Sequence, residues 1–188
     1  AVFKILAKES LSIHEKLIVI LDMGSKIQQC INTDEYDNIK SVVNDYLKEG
    51  IAHTLDETRN LSDSGQFEDI SLQQGIRQIL YPYEEMEVLN PEWEVILKDI
   101  IDSLFEQMSD EEYNILNEEF GTYMVSRAYE YRQLLEYLVF RYFAKSIYDY
   151  DFLGKCQMLV TNFFVIRQMD IIRWLDNHRE YSFKDRMD

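Results

Sequence analysis

Between Leu134 and Phe143 the chain runs Leu-Leu-Glu-Tyr-Leu-Val-Phe-Arg-Tyr-Phe, with two charged residues among ten. The apolar residues fall on every side of a helix of about 3.6 residues per turn, and the pattern extends over residues 127–146. A helix without a polar face is normally buried among other elements. This stretch therefore predicts a buried helix at the centre of the fold.

Helix signals flank this stretch along the chain. Ser12-Ile13-His14-Glu15 and Ser109-Asp110-Glu111-Glu112 have the pattern of a capping box, in which a serine and an acid three residues later satisfy each other's backbone amides. Further helix starts are predicted at Thr33-Asp34, at Asn90-Pro91 and at Ser182-Phe183-Lys184-Asp185.

The same signals define the fold class. No segment alternates strictly between apolar and polar residues, as a half-buried strand does. The 188 residues include only 6 Gly and 2 Pro, whereas the many turns of an all-β fold draw on both. The sequence predicts an all-α fold, an irregular helical bundle of about seven to nine helices around the buried central helix.

Residues 60–69 are the one clear loop, rich in Ser, Asp, Asn and Gly. We expect residues 1–188 to form a single helical domain, or two lobes, 1–59 and 70–188, joined by this loop. The helix before the loop is expected to end between residues 50 and 60, and Pro82 predicts a kink or break in the helix after it. Because the first residue is not Met and the last residues resemble a helix start, we expect a fragment of a longer protein.

Charge and cysteine content limit the classes of partner. The formal net charge is −16, and such a surface repels nucleic-acid phosphates and anionic lipid headgroups. We therefore expect no nucleic acid and no membrane as partners, and no stretch approaches the ~20 apolar residues of a membrane span. Cys30 and Cys156 have no Cys or His at metal-ligand spacing, which predicts buried thiols in the reducing cytoplasm and no metal site.

Residues 84–119 contain thirteen acids and one base, Lys98. The stretch could attract a cationic protein, such as one bearing lysines. Acids also favour helix N-termini, and two helix starts fall inside this window. A solvated helix face and a docking surface therefore both remain open.

Residues 120–152 are aromatic at eleven of thirty-three positions, with arginines interspersed. Tyrosines can hold an ammonium or sulfonium group by cation–π contact, whereas the same stripe can also be core with satisfied hydroxyls. The candidate pocket comprises Tyr129, Arg132, Tyr137, Arg141 and Tyr148. For Arg141 we expect burial and a bond to Glu136, Asp149, Asp151 or a backbone carbonyl, because an isolated buried charge is costly.

Motifs of catalysis are missing from the sequence. It has no Gly-rich phosphate or dinucleotide loop, no nucleophile elbow and no Cys-x-x-Cys pair. The residues alone define no catalytic site, and no cofactor-binding residue can be assigned.

The stretch Tyr131-Arg132-Gln133-Leu134-Leu135-Glu136-Tyr137-Leu138-Val139-Phe140-Arg141-Tyr142-Phe143, followed by Tyr148-Asp149-Tyr150-Asp151-Phe152-Leu153, resembles the C-terminal half of bacterial flagellin lysine-N-methylases. The opening, Phe3-Lys4-Ile5-Leu6 and then Leu11 to Leu17, is similar to the middle of that family. The positions that match its recurring helix and turn are Tyr137, Arg141, Tyr142, Phe143, Tyr148, Asp149 and Asp151.

The resemblance implies a parent enzyme that transfers methyl groups from S-adenosylmethionine to surface lysines of flagellin before export. It also implies an iron–sulfur cluster in a cysteine-rich N-terminal region, to which no position of this chain corresponds. This chain would be the helical body of that enzyme, inactive by itself, and would serve as a scaffold or as a substrate-docking region.

Two other classes fit an all-α acidic chain. One is the ligand-binding and dimerisation domain of a TetR-type transcriptional regulator, although that domain is usually shorter and no basic helix-turn-helix is present. The other is a non-catalytic helical docking module. The sequence does not indicate an oligomeric state.

Overall fold

The computed structural model describes residues 1–64, 70–85 and 91–182, without the side chain of Pro91. These ranges contain ten α-helices, of which eight have seven residues or more, and no strand. The helices are α1 (Val2–Leu6), α2 (Ile13–Asn32), α3 (Ile39–Asp45), α4 (Ile51–Asp63), α5 (Leu72–Glu84), α6 (Pro91–Ile101), α7 (Asp110–Tyr123), α8 (Ala128–Tyr142), α9 (Ser146–Asp149) and α10 (Phe152–Asp176). The predicted all-α class is confirmed.

Serine capping boxes start three of these helices. The Glu15 amide donates to Ser12 Oγ at 3.2 Å, and the Ser12 amide donates to Glu15 Oε2 at 2.8 Å. Ser109 and Glu112 form the same pair at α7, so both predicted boxes are present. A third box, Ser71 with Gln74, begins α5 and was not predicted.

Several predicted boundaries are wrong. Thr33 ends α2 instead of starting the next helix, and Asp34 after it has a left-handed φ of 58°. The chain stays helical beyond Gly50, through a π-helical turn at Tyr46–Gly50, to Asp63. The first residues of the predicted 60–69 loop are therefore helical, because a π-helical turn carries the chain past Gly50 without breaking it.

Pro82 lies inside α5, which continues to Glu84. A proline this close to a helix end removes few hydrogen bonds, so it does not break the helix where the sequence predicted. The predicted continuation of this helix over residues 86–89 lies outside the described residues. So do Asn90 and residues 183–185 of the predicted C-terminal cap.

The chain divides into two compact units. Unit 1 comprises Ala1–Phe67 and Arg127–Val160, and unit 2 comprises Glu68–Ser126 and Thr161–Asp188. The first division falls within the predicted loop, and the chain then returns to unit 1 at residue 127. Whether residues 1–188 fold as a single domain or as lobes of 1–59 and 70–188 stays a prediction.

Unit 1 has a core of aliphatic side chains from α1, α2 and α8. Ile5, Leu6, Ile20, Met23 and Leu135 are fully buried. The start of α10 packs against α2 where Gly24 faces Cys156. This close approach is possible because Gly24 has no side chain.

Unit 2 has its own core, in which α5, α6, α7 and the second part of α10 contribute. Leu80, Ile100 and Phe120 are fully buried there. The buried Gln73 side chain donates to the backbone oxygens of Leu104 and Met108, at 2.6 and 2.9 Å. Gln73 thereby satisfies one carbonyl within the π-helical turn Asp102–Glu106 and one just beyond it.

The prediction that the apolar helix around 134–143 is buried on all sides is wrong. One face of α8 is exposed, with Tyr129 at 52%, Tyr137 at 53% and Phe140 at 80% of their accessible surface. By contrast, α10 exposes just Gln157 and Asp176. Whether a helix is buried on every side depends on how many other elements pack against it. An apolar sequence pattern does not give that number.

Candidate functional site: an apolar groove in unit 1

An apolar groove of about 530 Å³ opens on the surface of unit 1. It lies between α1, the second half of α2, the segment 36–43, the end of α8, α9 and the start of α10. Its lining residues are Ala1, Val2, Phe3, Ile27, Ile31, Tyr36, Ile39, Val43, Val139, Phe143, Ser146, Ile147, Tyr150 and Phe152. A volume of this size lies within the usual range of ligand and side-chain pockets.

Large apolar side chains remain exposed at the mouth of the groove. Phe3 and Tyr36 are each 48% exposed, Tyr150 is 57% exposed and Ile147 is 72% exposed. Few polar groups interrupt this lining, and the Ser146 hydroxyl is already bonded to the Phe143 carbonyl at 2.7 Å. The groove can therefore take up apolar groups but offers few hydrogen bonds.

One side chain fixes the turn that forms one wall of the groove. The Gln28 amide nitrogen donates to the Tyr150 carbonyl at 2.9 Å, and its oxygen accepts from the amides of Phe152 and Leu153 at 2.9 and 3.1 Å. Tyr150 ends α9 with a left-handed φ of 55°, a conformation that glycine adopts most readily at helix ends. Gln28 thus positions Tyr150 at the groove.

Acidic turns flank the groove at two places. Asp34, Glu35 and Asp37 surround Tyr36, and all three are exposed. The Tyr36 hydroxyl donates to Asp34 Oδ1 at 3.3 Å, which places one of these carboxylates beside the aromatic mouth. No base occurs between residues 33 and 38.

The second acidic turn contains Asp149 and Asp151 on either side of Tyr150. Lys155 Nζ lies 2.6 Å from Asp149 Oδ2 and 3.8 Å from Asp151 Oδ2. The hydrogen bond from Lys155 lowers the pKa of Asp149. With one lysine for two carboxylates, this turn also keeps a negative charge.

A polar cluster in the same unit joins α2 to the segment after it. Asp22 Oδ2 accepts hydrogen bonds from the Tyr46 hydroxyl, from Thr54 Oγ1 at 2.6 Å and from Lys26 Nζ at 3.3 Å. Burial acts to raise the pKa of Asp22, but the bonds from Thr54 and Tyr46 outweigh it, so the pKa is lowered. These groups satisfy one another, which indicates a structural role.

None of the five residues of the candidate pocket lines the groove, and Tyr148 is 85% exposed. Arg132 Nε lies 3.8 Å from Glu136 Oε1, one helical turn away. Whether Tyr129, Arg132, Tyr137, Arg141 or Tyr148 binds a ligand stays a prediction.

The expectation that Arg141 is buried and bonded to a carboxylate or a carbonyl is wrong. Arg141 is exposed, and its guanidinium donates to the hydroxyls of Tyr137 and Tyr142, both at 3.2 Å. These bonds raise the pKa of Arg141, the bond to Tyr142 most. The solvent hydrates the charge on the exposed face of α8, so no buried partner is needed.

Sequence reasoning missed the polar groups buried in unit 2. Arg167 lies with its guanidinium 5.2 Å from the centre of the Phe120 ring and donates to the Asn117 carbonyl at 3.2 Å. The Tyr113 hydroxyl donates to Gln168 Oε1 at 2.9 Å, and burial raises the pKa of Tyr113 to about 12. The available signal was the polar pair at 167–168, which directly follows the apolar run at 163–166.

The thirteen acids between residues 84 and 119 are mostly exposed, apart from Glu87, which lies outside the described residues. Glu92 and Glu94 are in the first turn of α6, and three more acids are in the first turn of α7. This placement matches the favourable interaction of acids with helix N-termini. Whether the stretch also binds a partner is untested.

In the part of the chain that the structure describes, no three His, Cys, Asp or Glu side chains lie close enough to hold a metal ion. Among residues 1–64, 70–85 and 91–182, no helix has both the length and the apolar character that a membrane crossing needs. The prediction that the chain binds no metal still requires a direct measurement.

These features define an acidic all-α chain with an apolar groove. Family comparison assigns it more narrowly: the chain belongs to the family described as the FliB lysine N-methylase C-terminal domain, whose model matches residues 1–188. The resemblance found in residues 131–153 is thereby confirmed. Comparisons with curated proteins and with solved structures gave no match.

Proposed function

We propose that this chain is the helical body of a protein that transfers methyl groups from S-adenosylmethionine to surface lysines of flagellin. The observation that carries the proposal is the family match over residues 1–188. Within that protein the chain serves as a scaffold and docks the substrate, a role that the apolar groove of unit 1 supports. Methylation before export would take place in the cytoplasm.

The cofactors of the proposed reaction are assigned outside this chain. Four thiolates usually hold an iron–sulfur cluster, whereas this chain has two cysteines, and both Cys30 and Cys156 are buried. The residues present therefore do not fit such a cluster. We propose that the rest of the parent protein binds both the cluster and S-adenosylmethionine.

The proposal is tested with the full-length protein that contains this chain. Incubated with S-adenosylmethionine and flagellin monomers, it should increase the mass of flagellin by whole methyl groups, located on lysines by peptide mass spectrometry. Flagellin with acetylated lysine amines is the control and should not gain mass. The 188-residue chain alone should leave flagellin unmodified.

Two results would contradict the proposal. One is a full-length protein that is folded and binds S-adenosylmethionine but never modifies flagellin lysines. The other is methyl transfer by the 188-residue chain alone. The TetR-type alternative has no supporting observation in the structure, and a bound small effector together with specific DNA binding would be needed to favour it.

A further inference from the structure

The apolar groove of unit 1 leaves four large apolar side chains exposed to water at its mouth. Phe3, Tyr36, Ile147 and Tyr150 are all 48% exposed or more, and they lie together at its mouth. Scattered exposed apolar side chains are normal, but a contiguous set around a concave surface usually marks a binding site. The groove therefore has the form of a docking surface for apolar side chains.

The charge around the groove restricts what can bind there. The two turns beside Tyr36 and Tyr150 contain five carboxylates, those of Asp34, Glu35, Asp37, Asp149 and Asp151. Lys155 is the one cation bonded to them in the described structure. An apolar segment that also carries positive charges would thus gain both burial and electrostatic attraction.

We infer that this groove docks a segment of the protein substrate in which apolar side chains alternate with lysines. The apolar side chains would fill the groove, and the lysines would lie over the acidic turns at 33–38 and 149–151. Identifying that substrate as flagellin rests on the proposed function. The chemistry of the docked segment rests on the groove and its charges alone.

Two other occupants fit the charges less well. A second copy of this chain also carries a net charge of −16, so the copies would repel each other. A fatty acid or phospholipid could fill the apolar part, but its anionic head would lie beside the same carboxylates. A lysine-bearing protein segment satisfies both the apolar lining and the acidic turns.

The binding test uses a dye-labelled amphipathic peptide with leucines on one face and lysines on the other, measured by fluorescence anisotropy. Any cationic peptide is attracted to a chain of net charge −16, so affinity alone would not show docking in the groove. Matched variants separate docking in the groove from attraction to the overall negative charge. Circular dichroism first confirms that each variant is folded.

The apolar part of the proposal is tested by Ile147→Asn, with Val125→Asn as the control. Both side chains are 72% exposed, but Val125 lies in unit 2 and does not line the groove. Ile147→Asn should weaken peptide binding about tenfold, because an apolar contact of about 1.5 kcal/mol is lost. Val125→Asn should change binding less than about twofold.

The electrostatic part is tested by Asp34→Asn combined with Asp37→Asn. Asparagine tolerates the left-handed φ of 58° at position 34. The control pair is Glu111→Gln with Asp176→Asn, which removes the same charge from exposed positions of unit 2. The groove pair should weaken binding about fivefold at low salt and the control pair less than about twofold, and about 0.5 M salt should remove the difference.

Equal effects of Ile147→Asn and Val125→Asn, or of the two acid pairs, would show that the peptide binds through diffuse charge and would overturn the inference. A dimer that Ile147→Asn dissociates would overturn it too, in favour of a second copy. In the full-length enzyme, Ile147→Asn should raise KM for flagellin and leave kcat unchanged. Peptide binding that depends on the groove, in a protein that never methylates flagellin, would contradict the proposed function and leave the docking surface supported.

Discussion

Position 24 in α2 determines how closely α10 can approach it. A Cβ atom added to Gly24 would lie 2.7 Å from Cys156 Sγ and 3.2 Å from Cys156 Cβ. Alanine gains about 1 kcal/mol over glycine in helix propensity. Overpacking a core costs about 1–3 kcal/mol, and both Cys156 atoms lie too close to the added Cβ. We therefore expect the overpacking cost to exceed the gain in helix propensity.

We therefore expect Gly24→Ala to lower the free energy of unfolding by about 1 kcal/mol or more, measured by urea denaturation. In a Cys156→Ala background the clash with Sγ is absent, so Gly24→Ala should cost clearly less or even stabilise the protein. The same loss in both backgrounds would show that Cys156 is not the cause. Gly75→Ala, with nothing within 4 Å of its added Cβ, serves as the helix-propensity control.

Single residues also show the limit of sequence reasoning. The prediction for Arg141 assumed that a charge among aromatic residues is buried with them. The side chain instead lies on the exposed face of α8, bonded to Tyr137 and Tyr142. Local sequence gives the identity of neighbours along the helix, but burial depends on the elements packed against each face, which lie elsewhere in the chain.

At the scale of the helix, the capping box that starts α2 makes stability depend on acid pH. The hydrogen bond with the backbone of Ser12 lowers the pKa of Glu15 from its ordinary value of 4.5. A lowered pKa means that the ionised carboxylate stabilises the fold. That contribution is complete above the unfolded-state pKa and is lost as the pH falls through the lower folded-state pKa.

Glu15→Gln removes this titration while keeping the capping bonds, because glutamine also serves at this position. Urea midpoints should fall less between about pH 6 and about pH 3.5 in Glu15→Gln than in the unmodified chain. Some dependence should remain, since the bonds of Ser109 also lower the pKa of Glu112. An identical acid dependence in both proteins would exclude a contribution from the α2 box.

The helix class and the helix starts with a serine capping box are predictable because their causes are local. The boxes at Ser12 and Ser109 need four consecutive residues, and Ser71 to Gln74 has the same pattern. The π-helical turns at Tyr46–Gly50 and Asp102–Glu106 were not predictable. They preserve an approximate three-and-four spacing of apolar residues, so the periodicity does not reveal the extra residue.

At the scale of the whole molecule, the net charge of −16 destabilises the compact state through repulsion among carboxylates. Salt screens this repulsion, so the urea midpoint should rise between about 0.02 M and about 0.2 M sodium chloride. Tetramethylammonium chloride should act equally, because screening does not depend on which monovalent cation supplies it. A urea midpoint that stays constant or falls with added salt would show that repulsion among carboxylates does not significantly lower the stability.

The fold class and the family could be predicted from the sequence, whereas the groove could not. Its lining comes from positions between 1 and 152, which meet only after α1, α2, α8 and α10 have packed. The aromatic stripe at 120–152 led to the candidate pocket of Tyr129, Arg132, Tyr137, Arg141 and Tyr148, none of which lines the groove. A concave site assembled from distant segments leaves no periodic signal in any one of them.

The π-helical turn at Tyr46–Gly50 marks a place where the chain can lose a residue. Such a turn holds one residue more than the α-helical turn that it replaces. Deleting one residue there would join α3 to α4 as a regular helix and leave the later side chains on nearly their present faces, so Thr54 would stay beside Asp22 and Ile51 and Leu55 would stay buried. Inserting a further residue would instead rotate these side chains by about 100° around the helix axis. In related proteins this segment should consequently be one residue shorter far more often than one residue longer.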